Sequence, residues 1–298
     1  MKRIYWIIAL VALTFVGDRV GGFVLEKLTE KSQFRYSRLY KGEAKSDILL
    51  VGNSRGLMFY QPYIEDLTGK ETFNISYNGM PMNLGRVLVE DYLERYEAPE
   101  LMILDITMCD RNNDGLIAGF NAYSSFSNRM NALVKVTNPT VGNAGMVSHL
   151  YRYNGEIFQR ALYYLGKSDE DWLLDRVITD DLVNTVGDCE PYDIDVPENI
   201  FEDFKATVAL AQSKGVKVEL VINPYYPPFA EKITNLAAIK KKFGEAVGLE
   251  VHDYSSAITD VEGFGDYQHL NKRGSRAFLD LLNQDNILQS KSVGEVIQ

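Results

Sequence analysis

With 298 residues, 46% hydrophobic and 24% charged, the chain has the composition of one large globular domain or two modest ones, and disorder is not its default state. Forty-one acidic residues against 31 basic ones give a net charge of −10, which argues against a nucleic-acid surface. Two cysteines, Cys109 and Cys189, and three histidines, without Cys-x-x-Cys or clustered Cys/His spacing, argue against a metal site, and no cofactor motif is present.

Lys2 and Arg3 precede an apolar run over residues 4–17, "IYWIIALVALTFVG", which resumes after Asp18-Arg19 as "VGGFVL". Residues 1–25 are read as a signal anchor or a signal peptide; a buried helix of a soluble protein is the alternative. The basic pair before the run keeps the N-terminus inside, so the rest of the chain is expected outside the cytoplasm, periplasmic or at the cell surface. Export would permit a Cys109–Cys189 disulfide; two buried free thiols are the alternative. Residues 26–46, charged and aromatic, read as a connecting helix or stalk.

From residue 47 the pattern becomes strand, turn, helix, repeated. Strands are expected over 48–51, 72–75, 101–106, 216–222 and 249–252, and helices over 80–96, 200–214, 229–247 and 271–282. Near-continuous apolar strands such as "LMILDI" and "VKVELVI" are covered on both faces. The expected fold is therefore α/β, a three-layer α/β/α arrangement on a five-stranded parallel sheet, over residues 47–290. Residues 108–199 interrupt the rhythm. They are read as an insertion, either covering the carboxyl ends of the strands, where ligands bind in such sheets, or forming a packed helical layer.

The first strand ends in Gly52-Asn53-Ser54-Arg55-Gly56. Gly-x-Ser-x-Gly is the nucleophile elbow of α/β-hydrolases, but there several strands precede the serine, and here it follows the first. Near the C-terminus, "GDYQHLNKRGS" places Asp266 three residues before His269, with Asn271 positioned to cap a helix. A histidine that takes a proton from serine needs one ring nitrogen on the hydroxyl and an acceptor on the other, and Asp-x-x-His can supply both from one loop. Ser54 as a mere helix cap and His269 as a buried structural histidine are the plain alternatives. His149 and His252 are expected to be structural.

These two segments, and their order, resemble the SGNH or GDSL-type hydrolase superfamily. Val51-Gly52-Asn53-Ser54 is similar to its first block, with Asn53 where Asp is common, and Asp266 to Asn271 with Gly274 to its last. The resemblance implies a flavodoxin-like fold, Ser54 as nucleophile, His269 as base and Asp266 as its orienting acid. It implies an oxyanion hole using the serine amide, a glycine after the second strand and an asparagine after the third. "NISYNGM" supplies Gly79, beside Asn78; the third block, Gly-x-Asn-Asp, is absent, leaving Asn112 or Asn113 as candidates. Arg55 either faces the pocket as a substrate-binding group or forms a structural ion pair. Tyr123, Tyr151, Tyr153 and Tyr163 either stack on sugars or belong to the core.

The resulting expectation is a serine-dependent acyl ester hydrolase or O-acyltransferase acting on an envelope glycan. The anchored topology resembles that of SGNH-like proteins working beside membrane-bound acyltransferases, which makes such an enzyme a candidate partner. The rival expectation is a non-catalytic envelope protein of the same fold that binds glycan or assists polysaccharide assembly.

Overall fold

The computed structural model describes residues 2–289. The expected domain end at 290 and the side chains of Lys2 and Arg3 lie outside the described residues. The chain forms two compact units, residues 1–43 with 113–169, and residues 44–112 with 170–298.

The second unit holds a five-stranded, all-parallel sheet in the order β2-β1-β3-β4-β5. Its strands are β1 Ile48–Val51, β2 Thr72–Asn74, β3 Leu101–Asp105, β4 Lys217–Ile222 and β5 Val251–Asp253. Every residue of β1 and β3 is buried. Successive side chains point to opposite faces, so both faces of the central strands are covered, and only apolar runs of this kind suit that position. Helices supply the cover. Met82–Arg95 packs with Glu198–Ser213, and Gln61–Thr68 with Lys272–Gln284. The α/β class expected from the apolar runs is the one observed. In the order 2-1-3-4-5 the connections leave β1 and β3 in opposite directions, which opens a crevice at their carboxyl ends.

One expected helix differs. Residues 229–247 form Pro227–Ala230 and Leu236–Val247 with a break between them. Asn235 causes it: its side chain donates to the Ile194 carbonyl and accepts from the Ile194 amide, both at 2.9 Å, so it pairs sideways instead of continuing a helix. Cys109 and Cys189 are free thiols, Cys109 fully buried, and no disulfide joins them.

The first unit is helical. Its N-terminal helix runs Lys2–Lys31, longer than the apolar stretch itself. It is long and apolar enough to cross a membrane, with a mean hydropathy of 1.8 and almost none of its apolar window buried. The expected stalk is folded instead. Helix Arg35–Lys41 buries Tyr36 and Leu39, the Tyr36 ring meets Phe120 and Tyr123 edge-on, and Ser37 Oγ lies 2.7 Å from the Tyr123 hydroxyl. The buried Arg35 guanidinium meets the buried Asp169 carboxylate at 3.0 Å. The segment is charged, yet Tyr36 and Leu39 are buried and its buried arginine is paired. Tyr123 and Tyr153 are buried core residues, while Tyr163 is exposed with Lys167 over its ring.

Candidate active site

The turn after β1 is built by Asn53. Its side-chain oxygen accepts from the Arg55 amide at 2.9 Å, its carbonyl accepts from the Gly56 amide at 3.1 Å, and a short 3-10 helix, Arg55–Met58, follows. The glycines around Ser54 answer to packing. A Cβ at Gly52 would come within 2.9 Å of Gly56 Cα and 3.2 Å of Asp105 Cβ, so β1 and β3 could not run out side by side. Ser54 has φ −59° and ψ −28°, an unstrained helical conformation unlike the strained α/β-hydrolase elbow. Its hydroxyl makes no capping bond. Instead Ser54 Oγ lies 2.8 Å from His269 Nε2.

The last loop is fixed as tightly. Asp266 Oδ1 accepts from the Gln268 amide at 2.9 Å, the His269 amide at 3.0 Å and His269 Nδ1 at 2.8 Å. Asn271 caps helix Lys272–Gln284 by accepting from the Arg273 and Gly274 amides, and its own amide donates to the Glu262 carbonyl at 2.7 Å. Burial pushes the Asp266 carboxyl up, but the hydrogen bond and charge of His269, the Gln268 amide and Arg176 outweigh it and hold it at about 2. An ionised carboxylate only accepts, so His269 must donate from Nδ1. Its Nε2 is then free to accept the Ser54 proton.

A cavity of about 350 Å³ opens over this pair. Asn53, Ser54 and Arg55 line it after β1, Asn78, Gly79 and Met80 after β2, and Thr107, Asp110 and Arg111 after β3. Tyr225 after β4 and Gln268 with His269 from the last loop complete the wall. The site therefore sits at the β1/β3 crevice. Gly79 takes φ +64°, which glycine alone adopts without cost, and this turns the chain after β2 into the cavity wall. The lining is mostly polar and bears the charges of Arg55, Arg111 and Asp110, a surface suited to a hydroxylated rather than a fatty ligand.

The sequence-derived candidates divide as follows. Ser54, His269, Asp266, Asn78, Gly79 and Arg55 are gathered at one place, all but Asp266 directly on the cavity. Asn112 is not there: its side-chain oxygen accepts from Asn199 at 2.9 Å, away from the cavity wall. Asn113 caps helix Asp114–Gly119. The stretch after β3 brings Thr107 and Arg111 to the wall instead, because the chain enters a 3-10 turn at Ile106–Cys109, with Thr107 hydrogen-bonded to Asp105. Arg55 is buried, lies 3.4 Å over the Tyr225 ring and donates to the Asn223 carbonyl. Its charge acts on the fully buried Asp105. His252 pairs with Glu219 at 2.9 Å, and His149 lies against Gly22 of the N-terminal helix.

Residues that pattern reading missed are Arg176, Tyr225 and Asn223. Arg176 donates to Asp266 Oδ2 at 2.9 Å and to the Gly265 carbonyl at 3.1 Å. Nothing in its own segment, "LLDRVI", signals that role.

No protein-family model and no curated protein matches the chain. Among solved structures it is similar to a crystal structure provisionally described as an acylhydrolase from Bacteroides fragilis, at 15% identity and a TM-score of 0.41, covering 81% of this chain and 88% of that one. The functional reading therefore rests on the site's own geometry.

Proposed function

We propose that the chain is an SGNH-type serine acyl ester hydrolase or O-acyltransferase, held at the membrane by its N-terminal helix and acting outside the cytoplasm on an envelope glycan. The observation that carries it is the unbroken hydrogen-bonded series Ser54–His269–Asp266 opening onto a polar cavity. In this reading Ser54 Oγ attacks the ester carbonyl carbon as its proton passes to His269 Nε2. The tetrahedral intermediate collapses, the carbonyl–alkoxy bond breaks, and the departing alcohol takes that proton from His269. Water, or a sugar hydroxyl in the transferase, then attacks the acyl-serine with His269 again as base. The amides of Ser54 and Gly79 and the side chain of Asn78 are the oxyanion donors in this reading. The polar wall and the apolar N-terminal helix support a glycan at a membrane as substrate, with a membrane-bound acyltransferase as partner.

The absence of Asn112 from the cavity favours one second reading. With no asparagine from the stretch after β3 on the cavity wall, the same cleft serves a protein that binds glycan without cleaving it. A serine-directed fluorophosphonate separates the two. Stoichiometric labelling of Ser54, abolished in Ser54→Ala and His269→Ala, supports the enzyme. No labelling of folded protein supports the binding protein.

A further inference from the structure

The apolar run of the N-terminal helix, residues 4–17, is fourteen residues long. At 1.5 Å per residue it reaches about 21 Å, short of the about 30 Å hydrocarbon core of a bilayer. The helix continues with exposed Val20, Phe23 and Val24, which would complete the span. Yet Asp18 and Arg19 interrupt it, and at that level the helix is not bare. Asp18 accepts from the Ser148 hydroxyl and from the amides of His149, at 2.8 Å, and Leu150, at 3.2 Å. Arg19 donates to the Val147 carbonyl at 3.2 Å. Gly21 and Gly22 let Leu150 and His149 come close against the helix. The segment around residue 147 is thus strapped to the helix part-way along its apolar length. Any bilayer thick enough to hold that length must meet the segment too.

The segment is built for such a meeting. Val136 and Val147 are 82% and 77% exposed, and Met146 and Leu150 are exposed beside them. No aspartate or glutamate occurs from residue 115 to 155, in a chain that has 41 of them in 298 residues, while Arg129, Lys135 and Arg152 do occur there. An apolar tip with basic neighbours and no acid is the composition of a surface seated at an anionic headgroup layer. The bonds around Asp18 have the corresponding form: a carboxylate entering a low-dielectric layer must bring its donors with it.

We infer that residues 136–150 form a second membrane contact, seated in the headgroup region of the bilayer that the N-terminal helix crosses, with Val147 and Val136 at the acyl boundary. This rests on the reading of that helix as a membrane anchor and is independent of the catalytic reading.

The test uses the full-length chain in liposomes containing phosphatidylglycerol. With Cys189→Ser and Cys109 buried, an environment-sensitive fluorophore is placed on Val147→Cys, on Val136→Cys and, as reference, on Phe15→Cys. The expected result is a blue shift and quenching by acyl-chain nitroxides at all three positions. The shift at 147 and 136 should diminish in purely zwitterionic vesicles or when Lys135→Glu and Arg152→Glu are combined. Aqueous emission and iodide quenching at 147 and 136, with Phe15 lipid-quenched, would keep the anchor and overturn the seat. An aqueous Phe15 overturns both.

Discussion

Arg176 Nη2 lies 2.9 Å from Asp266 Oδ2, on the side of the carboxylate that His269 does not use. The same guanidinium also holds the Gly265 carbonyl. In the proposed mechanism Arg176 acts through Asp266, as a positioning residue. Its side chain is largely exposed, so the pair is worth about 1 kcal/mol or less. Arg176→Ala should lower kcat roughly fivefold and leave KM unchanged, because the aim of the imidazole is altered and the cavity wall is not. Arg176→Lys should recover only part of the loss, since an ammonium cannot serve both acceptors in fork geometry. Steady-state kinetics on an acyl ester checks the split.

Asp266 also links the site to stability. Its carboxyl stands at about 2 in the folded protein, below its unfolded value. A depressed acid contributes stability that is complete above about pH 4 and is lost as pH falls toward about 2. The full contribution is at most about 2 kcal/mol for this shift. Asp266→Asn should therefore be less stable than the wild type at about pH 5, and the difference should shrink as pH drops through that window. Thermal midpoints of the full-length chain in detergent, measured across the range, test this. A gap that stays constant would mean that the carboxyl charge has no part in it.

In the proposed reaction Ser54 and His269 share one proton, and they should fail together. Ser54→Ala should reduce turnover by about 1,000-fold or more, and adding His269→Ala should cost little beyond that. Near-wild-type turnover in Ser54→Ala would end the catalytic reading of the site. Asn112→Ala, outside the cavity, should leave kcat/KM unchanged, whereas Asn78→Ala on the wall should lower it. Comparing these four variants on one substrate distinguishes a wall made as described here from one that uses the stretch after β3.

What the sequence carried plainly was whatever physics writes locally. Runs such as "ILLV" and "LMILD" have the burial of central parallel strands built into them, and their bounds came within a residue or two of the observed ones. Asp266 and His269 were legible because one short loop holds both. Asn112 misleads because proximity in sequence to β3 is not proximity in space: a 3-10 turn redirects the chain between them. The aromatic segment after the N-terminal helix misleads for a related reason: its charges are conspicuous, but Tyr36 finds its ring partners more than eighty residues away. Arg176 reaches Asp266 across ninety residues, and no local pattern encodes such a contact.

Beneath Ser54 lies a buried charge. Arg55 follows Ser54 directly, is almost wholly buried, and finds no hydrogen-bond partner for Nε or Nη1 among the described residues. What compensates its charge is the Tyr225 ring, 3.4 Å from it, and the buried Asp105 carboxylate. Asp105 is anchored by Thr107, whose amide and hydroxyl both donate to Oδ1, and by Asn223, which donates to Oδ2 at 3.2 Å. Removing Arg55 takes away a positive charge that favours the ionised form of the buried Asp105 carboxyl, and Arg55→Ala should destabilise the protein. Arg55→Ala with Asp105→Asn should be clearly less damaging than the two single losses summed, the signature of a coupled pair. The pH dependence has a fixed sign. Burial pushes the Asp105 carboxyl up against the pull of Arg55, and without Arg55 it rises further. A carboxyl raised in the folded state contributes stability at low pH that is lost as pH climbs through its folded value. Arg55→Ala should therefore lose more stability than the wild type between a pH below and a pH above the ordinary carboxylate range, and the double variant should not. Urea or thermal midpoints of the three variants at both pH values decide it, and additive losses with no pH difference would mean that Arg55 is held by Tyr225 and the Asn223 carbonyl alone.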